Sequence, residues 1–121
     1  MQESDSRIFT IYLLTNKSRT VFYCGRTGNL AKRLIYHYFT WKYKLKNTFV
    51  AQYNVIYLVY FEEVIGFKNS LRREALVKKM SRAIKRKMIE KENPDYSFLN
   101  NTITDWPPSE ELLERVKQEN L

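Results

Sequence analysis

Apolar and polar positions along the chain fall into short runs of two different periods. From Ile8 to Leu14, Ile8, Thr10, Tyr12 and Leu14 lie on one face and Phe9, Ile11 and Leu13 on the other, which predicts a strand covered on both sides. Asn16-Lys17-Ser18 carries turn chemistry, and Thr20 to Cys24 is rich in β-branched and aromatic residues, so the two runs predict a hairpin. A turn centred between Lys17 and Ser18 would set Tyr12 opposite Tyr23, with both phenols on one face. Gly25 to Gly28 is expected to end the second strand through turn geometry. Asn29 then caps a helix over about 29–39, whose apolar positions Leu30, Leu34, Ile35 and Tyr38 recur at helical spacing. Residues 40–54 alternate bases with aromatics without a period and read as a connection able to touch a ligand.

Val55 to Phe61 is an unbroken apolar run of strand length, which predicts a central strand buried on both faces. A helix is expected from Asn69 or Ser70 to Glu92, with a break near Ser81, and Asn93-Pro94 ends it because the residue before proline is pushed out of the α region. Trp106-Pro107-Pro108 reads as a rigid link, and Ser109 caps an acidic C-terminal helix. The order β-β-α-β-α-α plus a C-terminal helix predicts a small α+β layer fold: a three-stranded sheet flanked by helices. Residues 8–99 form the expected domain, with a polar lead over 1–7 and an acidic tail over 100–121.

Charge sharpens this outline. The 121 residues carry a formal +8, and from Ser6 to Phe61 there is no Asp or Glu against nine bases. Residues 62–92 hold ten bases and five acids, whereas 93–121 hold two bases and six acids. A field of this sign concentrates polyanions, and nucleic acid is the commonest polyanion in a cytoplasm. Arg26, Lys32, Lys42, Lys44, Lys46 and Arg73 are the expected contacts to it. One Cys and one His exclude a disulfide framework and a tetrahedral zinc site, which fits a reducing compartment, and Cys24 is expected to be a small buried hydrophobe. No run approaches the roughly 20 apolar residues of a membrane span, so a soluble, cytoplasmic protein with no membrane partner is expected.

The chemistry available is narrow. His37 has no Gly-x-Ser-x-Gly elbow to serve, three glycines cannot build a phosphate-cradling loop, and the first half lacks the carboxylates of a two-metal cage. A one-carboxylate site remains, in which Mg²⁺ keeps its waters and takes a phosphate oxygen.

Thr10-Ile11-Tyr12, then Tyr23-Cys24-Gly25, then Arg33 ten residues after Tyr23, with His37 a turn beyond, resemble the core of the GIY-YIG nuclease family. Downstream, Leu58 to Glu63, Leu71-Arg72-Arg73-Glu74 and Ile89 to Tyr96 are similar to its small, single-domain bacterial members, so the likeness covers about residues 8–99. Thr10 stands where the first motif has Gly, and Cys24 where the second has Ile. The resemblance implies metal-dependent DNA endonuclease activity, with a place in DNA repair or processing. It implies Mg²⁺ or Mn²⁺ on Glu74, a tyrosine of the pair Tyr12 and Tyr23 assisting the attacking water, Arg33 at the phosphate, and His37 and Asn93 supporting the site. Physically, a cation such as Arg33 is expected to depress a phenol pKa, and it can brace a phosphorane-like transition state. The rival expectation is a basic nucleic-acid-binding module of the same fold without turnover.

Overall fold

The computed structural model describes residues 4–45 and 48–119. The strands are β1 (Ile8–Thr15), β2 (Phe22–Thr27) and β3 (Tyr57–Ile65), and the helices are α1 (Leu30–Tyr43), α2 (Phe49–Gln52), α3 (Phe67–Lys79), α4 (Arg82–Glu92), α5 (Asn100–Ile103) and α6 (Glu110–Glu119). The sheet is antiparallel in the order β2-β1-β3. Alternation along β1 splits the core in two. Tyr12 and Leu14 pack under Leu30 and Leu34 of α1 on one face, while Ile11 and Leu13 pack against Val77 of α3 and Ile89 of α4 on the other. The fold is α+β, a three-stranded sheet between helical layers.

Several local expectations are corrected. β1, not β3, is the central strand. The apolar run of β3 is nevertheless buried at Leu58, Val59 and Tyr60, because side chains from later in the chain close its outer edge. Asn100 accepts from Leu58 N (2.8 Å) and donates to Ile56 O (3.1 Å), and Asn93 donates to Val59 O (3.0 Å). These amides replace a fourth strand and leave no free edge at that point. Asn100→Ala strands two buried backbone groups and is expected to cost about 2–4 kcal/mol, read from the urea midpoint; a loss under about 0.5 kcal/mol would contradict this role.

The hairpin register is shifted by two residues from the expected one: Tyr12 faces Gly25 and Leu14 faces Tyr23. The Asn16 side-chain carbonyl takes both Thr20 N (2.8 Å) and Val21 N (3.3 Å), and Arg19 adopts φ 60°, so the loop is longer than a two-residue turn. A shift of two keeps every side chain on its face, so Tyr12 and Tyr23 still share one. β2 also runs through Gly25 and Arg26 to Thr27, whose hydroxyl accepts from Asn29 N (3.0 Å) and turns the chain into α1.

α1 continues four residues past the expected end, to Tyr43, and closes on Lys44 at φ 51°. Residues 40–54 are not a plain connection: 40–43 complete α1, and Phe49–Gln52 forms one helical turn. α3 begins at Phe67, earlier than expected, because Asp5 from the N-terminal lead accepts from Phe67 N (2.8 Å) and supplies the cap that Gly66 cannot. The break at Ser81 is present, with its hydroxyl accepting from Ile84 N (3.2 Å), and Ser109 caps α6 as expected. The segment after Asn100 is not loose: Leu113 is fully buried and Glu110 pairs with Lys42 at 2.8 Å. Among the described residues no helix is long and apolar enough to cross a membrane.

Candidate active site

Tyr12 on the central strand reaches sideways over β2. A Cβ built on Gly25, its cross-strand partner, would lie on the Tyr12 ring end, contacting both Cζ and Oη. Gly25 is therefore bare because the phenol occupies the space of a side chain, not because the chain turns there. The Tyr12 ring thus extends over β2, the edge strand of the sheet among the described residues, with its hydroxyl buried.

Above that edge stands α1. Its inner face contributes His37, whose Nε2 lies 2.9 Å from Tyr12 Oη, with both groups buried. Tyr23 completes an aromatic triangle, its ring 6.4 Å from Tyr12 and 5.8 Å from His37. Arg33, one turn before His37, is exposed and lines a groove of about 910 Å³ between the start of α1 and α6, together with Lys32, Tyr36 and Arg115. Below the sheet, α3 presents Glu74, only 19% exposed, with Arg26 Nε at 3.7 Å and Lys78 Nζ at 3.4 Å.

Electrostatics tie the two layers together. Burial raises the Tyr12 phenol far above its ordinary value of 10; the charges of Tyr23 and Glu74 add to the rise, and Arg33 opposes it. The expected net depression by a cation is corrected, because desolvation of a phenolate outweighs one exposed guanidinium. Burial, with a smaller contribution from Arg33, lowers His37 from 6.5 to about 4. At neutral pH the pair is an uncharged phenol and an uncharged imidazole.

This has a thermodynamic consequence. His37 binds its proton less readily when folded, so the unfolded chain takes up more protons between pH 6.5 and about 4. Stability is full above pH 6.5 and falls through that window, by on the order of 3 kcal/mol for a shift of this size. Urea unfolding from pH 7 downward should show the loss, and His37→Gln, whose amide can donate to or accept from the Tyr12 hydroxyl without titrating, should flatten it. An unchanged slope in the variant would contradict the assignment. Asp5, held below the usual carboxylate range chiefly by Arg7, titrates lower still and does not enter this window.

Among the described residues no group of three or more His, Cys, Asp or Glu is placed to hold a metal. A single carboxylate nonetheless fits Mg²⁺ or Mn²⁺, which retain several waters and complete their shell with phosphate oxygens. Glu74 suits that part: both its cationic contacts are longer than the roughly 2.7–2.9 Å of a tight charge-assisted hydrogen bond, so its oxygens are not locked. Arg26 Nε is buried without a hydrogen-bond partner beside it, a spare donor for an oxygen ligand.

Other expected residues are placed differently. Asn93 spends both its N–H groups on Val59 O and Ser97 O and accepts from Ser97 N, so it is a clamp within the fold and not a group that meets substrate. Of the expected nucleic-acid contacts, Lys32 and Lys44 are exposed, whereas three others are engaged. Arg73 is bonded to Glu62 (2.8 Å), Lys42 to Glu110, and Arg26 lies beside Glu74 and over the rings of Phe9 and Phe67. Each partner is distant in sequence or on another element. Lys46 lies outside the described residues. Cys24 is buried among Ile11, Leu13 and Val59, and burial pushes its thiol up to about 11.

Residues 8–88 match the GIY-YIG catalytic domain. The chain belongs to the GIY-YIG family. A UPF0213 protein of Syntrophus aciditrophicus (strain SB) is 40% identical over 85 residues, covering 70% of this chain and 92% of that one. The solution NMR structure of a UPF0213 protein from Bacillus halodurans is 20% identical, with a TM-score of 0.47 over 84% of this chain and 99% of that chain. GIY-YIG proteins are generally nucleases, acting on nucleic acid. Tyr12, Tyr23 and His37 meet on the α1 side of the sheet with Arg33 exposed one turn away, whereas Glu74 stands on the α3 side beside Arg26; Gly25, read from the sequence as turn geometry, instead marks a close approach of the Tyr12 ring.

Proposed function

We propose that this chain is a metal-dependent endonuclease that hydrolyses DNA phosphodiester bonds at the open edge of β2. The observation that carries the reading is the buried Tyr12 Oη–His37 Nε2 contact of 2.9 Å, with the exposed Arg33 one helical turn before His37. A phenol that donates to a neutral imidazole keeps its oxygen lone pairs for a proton from water. As the water oxygen bonds to phosphorus, Tyr12 accepts the water proton and passes its own to His37 Nε2; the opposite P–O bond breaks with its electron pair on the leaving nucleotide oxygen, which takes a proton from solvent. An incoming phosphodiester anion at Arg33 offsets the smaller, electrostatic part of what disfavours protonated His37, and so raises its basicity when substrate is present. Arg33 binds the phosphate in the ground state and braces the charge that grows on it in the transition state. Mg²⁺ or Mn²⁺ on Glu74 would supply further charge neutralisation and a more acidic bound water.

End-labelled DNA incubated with the purified protein should be cut with Mg²⁺ or Mn²⁺ and left whole with chelator. DNA affinity should fall steeply with salt, by about 0.9 log units per log unit of salt for each neutralised duplex phosphate. Intact DNA and RNA under both metals would leave only a basic binding module, and a flat salt dependence would remove nucleic acid as the partner.

A further inference from the structure

Two solvent-exposed rings prolong the aromatic triangle of the site. Phe49 stacks on Tyr23, with centroids 6.2 Å apart and planes at 25°, and Tyr53 lies 4.8 Å beyond Phe49. Phe49 is 43% and Tyr53 46% exposed. Their placement is built rather than incidental. Thr48 caps the short α2 by accepting from Ala51 N, Val50 pins it into the core, and the Tyr53 N to Phe49 O bond (3.0 Å) sets the two rings one helical turn apart on the same side. Asn54, at φ 58°, holds the far end by accepting from Trp41 Nε1 at 2.7 Å. The result is a run of rings from the buried Tyr12 through Tyr23 and Phe49 to Tyr53 in open solvent.

Exposed aromatic area is unfavourable in water unless something covers it. The stretch of chain that carries both rings, Ser6 to Phe61, holds no carboxylate of its own, and Lys44 at the end of α1 is exposed, which suits an occupant that is negatively charged and offers a flat π-face. A nucleobase attached to its phosphate does both. Base pairs inside a duplex have their faces already covered by their neighbours, and only an unpaired base can lie on such rings.

We propose that Phe49 and Tyr53 form a stacking platform for unpaired nucleobases next to the scissile phosphate, so that the preferred substrate has single-stranded character at the cut. The position relative to the cut rests on the nuclease reading above; stacking itself does not.

The test compares binding of a fluorescein-labelled oligothymidylate with binding of a fully paired duplex of equal length, by anisotropy in chelator. Phe49→Ala and Tyr53→Ala should each weaken the single strand by about 5- to 100-fold while duplex affinity changes by less than about twofold, and Phe49→Trp should retain binding. In the wild type, ring-proton resonances of Phe49 and Tyr53 should move upfield as oligothymidylate is added. Equal losses on both DNA forms, or unmoved ring resonances, would overturn the platform, as would a surface that takes apolar peptide and ignores oligonucleotide. A wild type that cuts nothing but shows the ring shifts and the single-strand losses would remove the nuclease reading and keep the platform; active protein with unaffected variants would do the reverse.

Discussion

Glu74→Gln is expected to reduce DNA cleavage by on the order of 10³-fold or more while leaving DNA affinity equal or higher. Glu74 is the carboxylate that α3 brings to the β2 edge, and its charge acts on the Tyr12 phenol. The amide keeps the shape but is a poor ligand for a hard divalent cation. Binding moves the other way because a negative charge leaves a surface that must accept phosphate, and Arg26 and Lys78 lose their partner and face the DNA. The contrast matters because Glu74 also makes the i,i+4 pair with Lys78 expected of any exposed helical glutamate. If Glu74 served only that pair, substitution would cost a few tenths of a kcal/mol of stability and no activity. Cleavage rate and filter binding on the same preparations separate the two roles.

Gly25→Ala is expected to damage both stability and cleavage. A methyl group there falls on Tyr12 Cζ and Oη, and the ring cannot swing aside easily because Tyr12 is 1% exposed and held by His37. Overpacking of this kind costs about 1–3 kcal/mol, and the displaced phenol should lose its bond to His37 and most of the cleavage rate. Gly25 is in the body of β2, so a conformational preference of glycine is not the cause. Combining Gly25→Ala with Tyr12→Ala tests this, because the methyl then has nothing to strike. The double variant should lose less stability than the sum of the two single variants; simple additivity would contradict the contact.

What was legible in the sequence was what local chemistry decides. The alternation of β1, the Ser81 break between α3 and α4 and the Ser109 cap of α6 need only neighbours within a turn, and each appears where expected. The shared face of Tyr12 and Tyr23 survived an error in register because side chains repeat every second residue. The register itself depended on Asn16 capturing two loop amides, and the central place of β1 depended on Asn93 and Asn100 closing the edge of β3 from over 30 residues away. The rise in the Tyr12 pKa came from burial, which no spacing of residues displays. Arg26, Lys42 and Arg73 likewise read as free bases until Glu74, Glu110 and Glu62 were seen beside them.

The single-turnover rate of Tyr12→Phe, measured with Mg²⁺ on a labelled oligonucleotide beside the wild type, tests the central claim most directly. Phenylalanine keeps the packing over Gly25 and beside Tyr23 and deletes only the hydroxyl that meets His37. The account predicts an unchanged fold, DNA affinity within about twofold, and a cleavage rate lower by about 10²- to 10⁴-fold, the size of a lost proton-transfer group. A variant that cuts as fast as the wild type would show that the Tyr12–His37 pair serves packing alone and that the chemistry runs elsewhere.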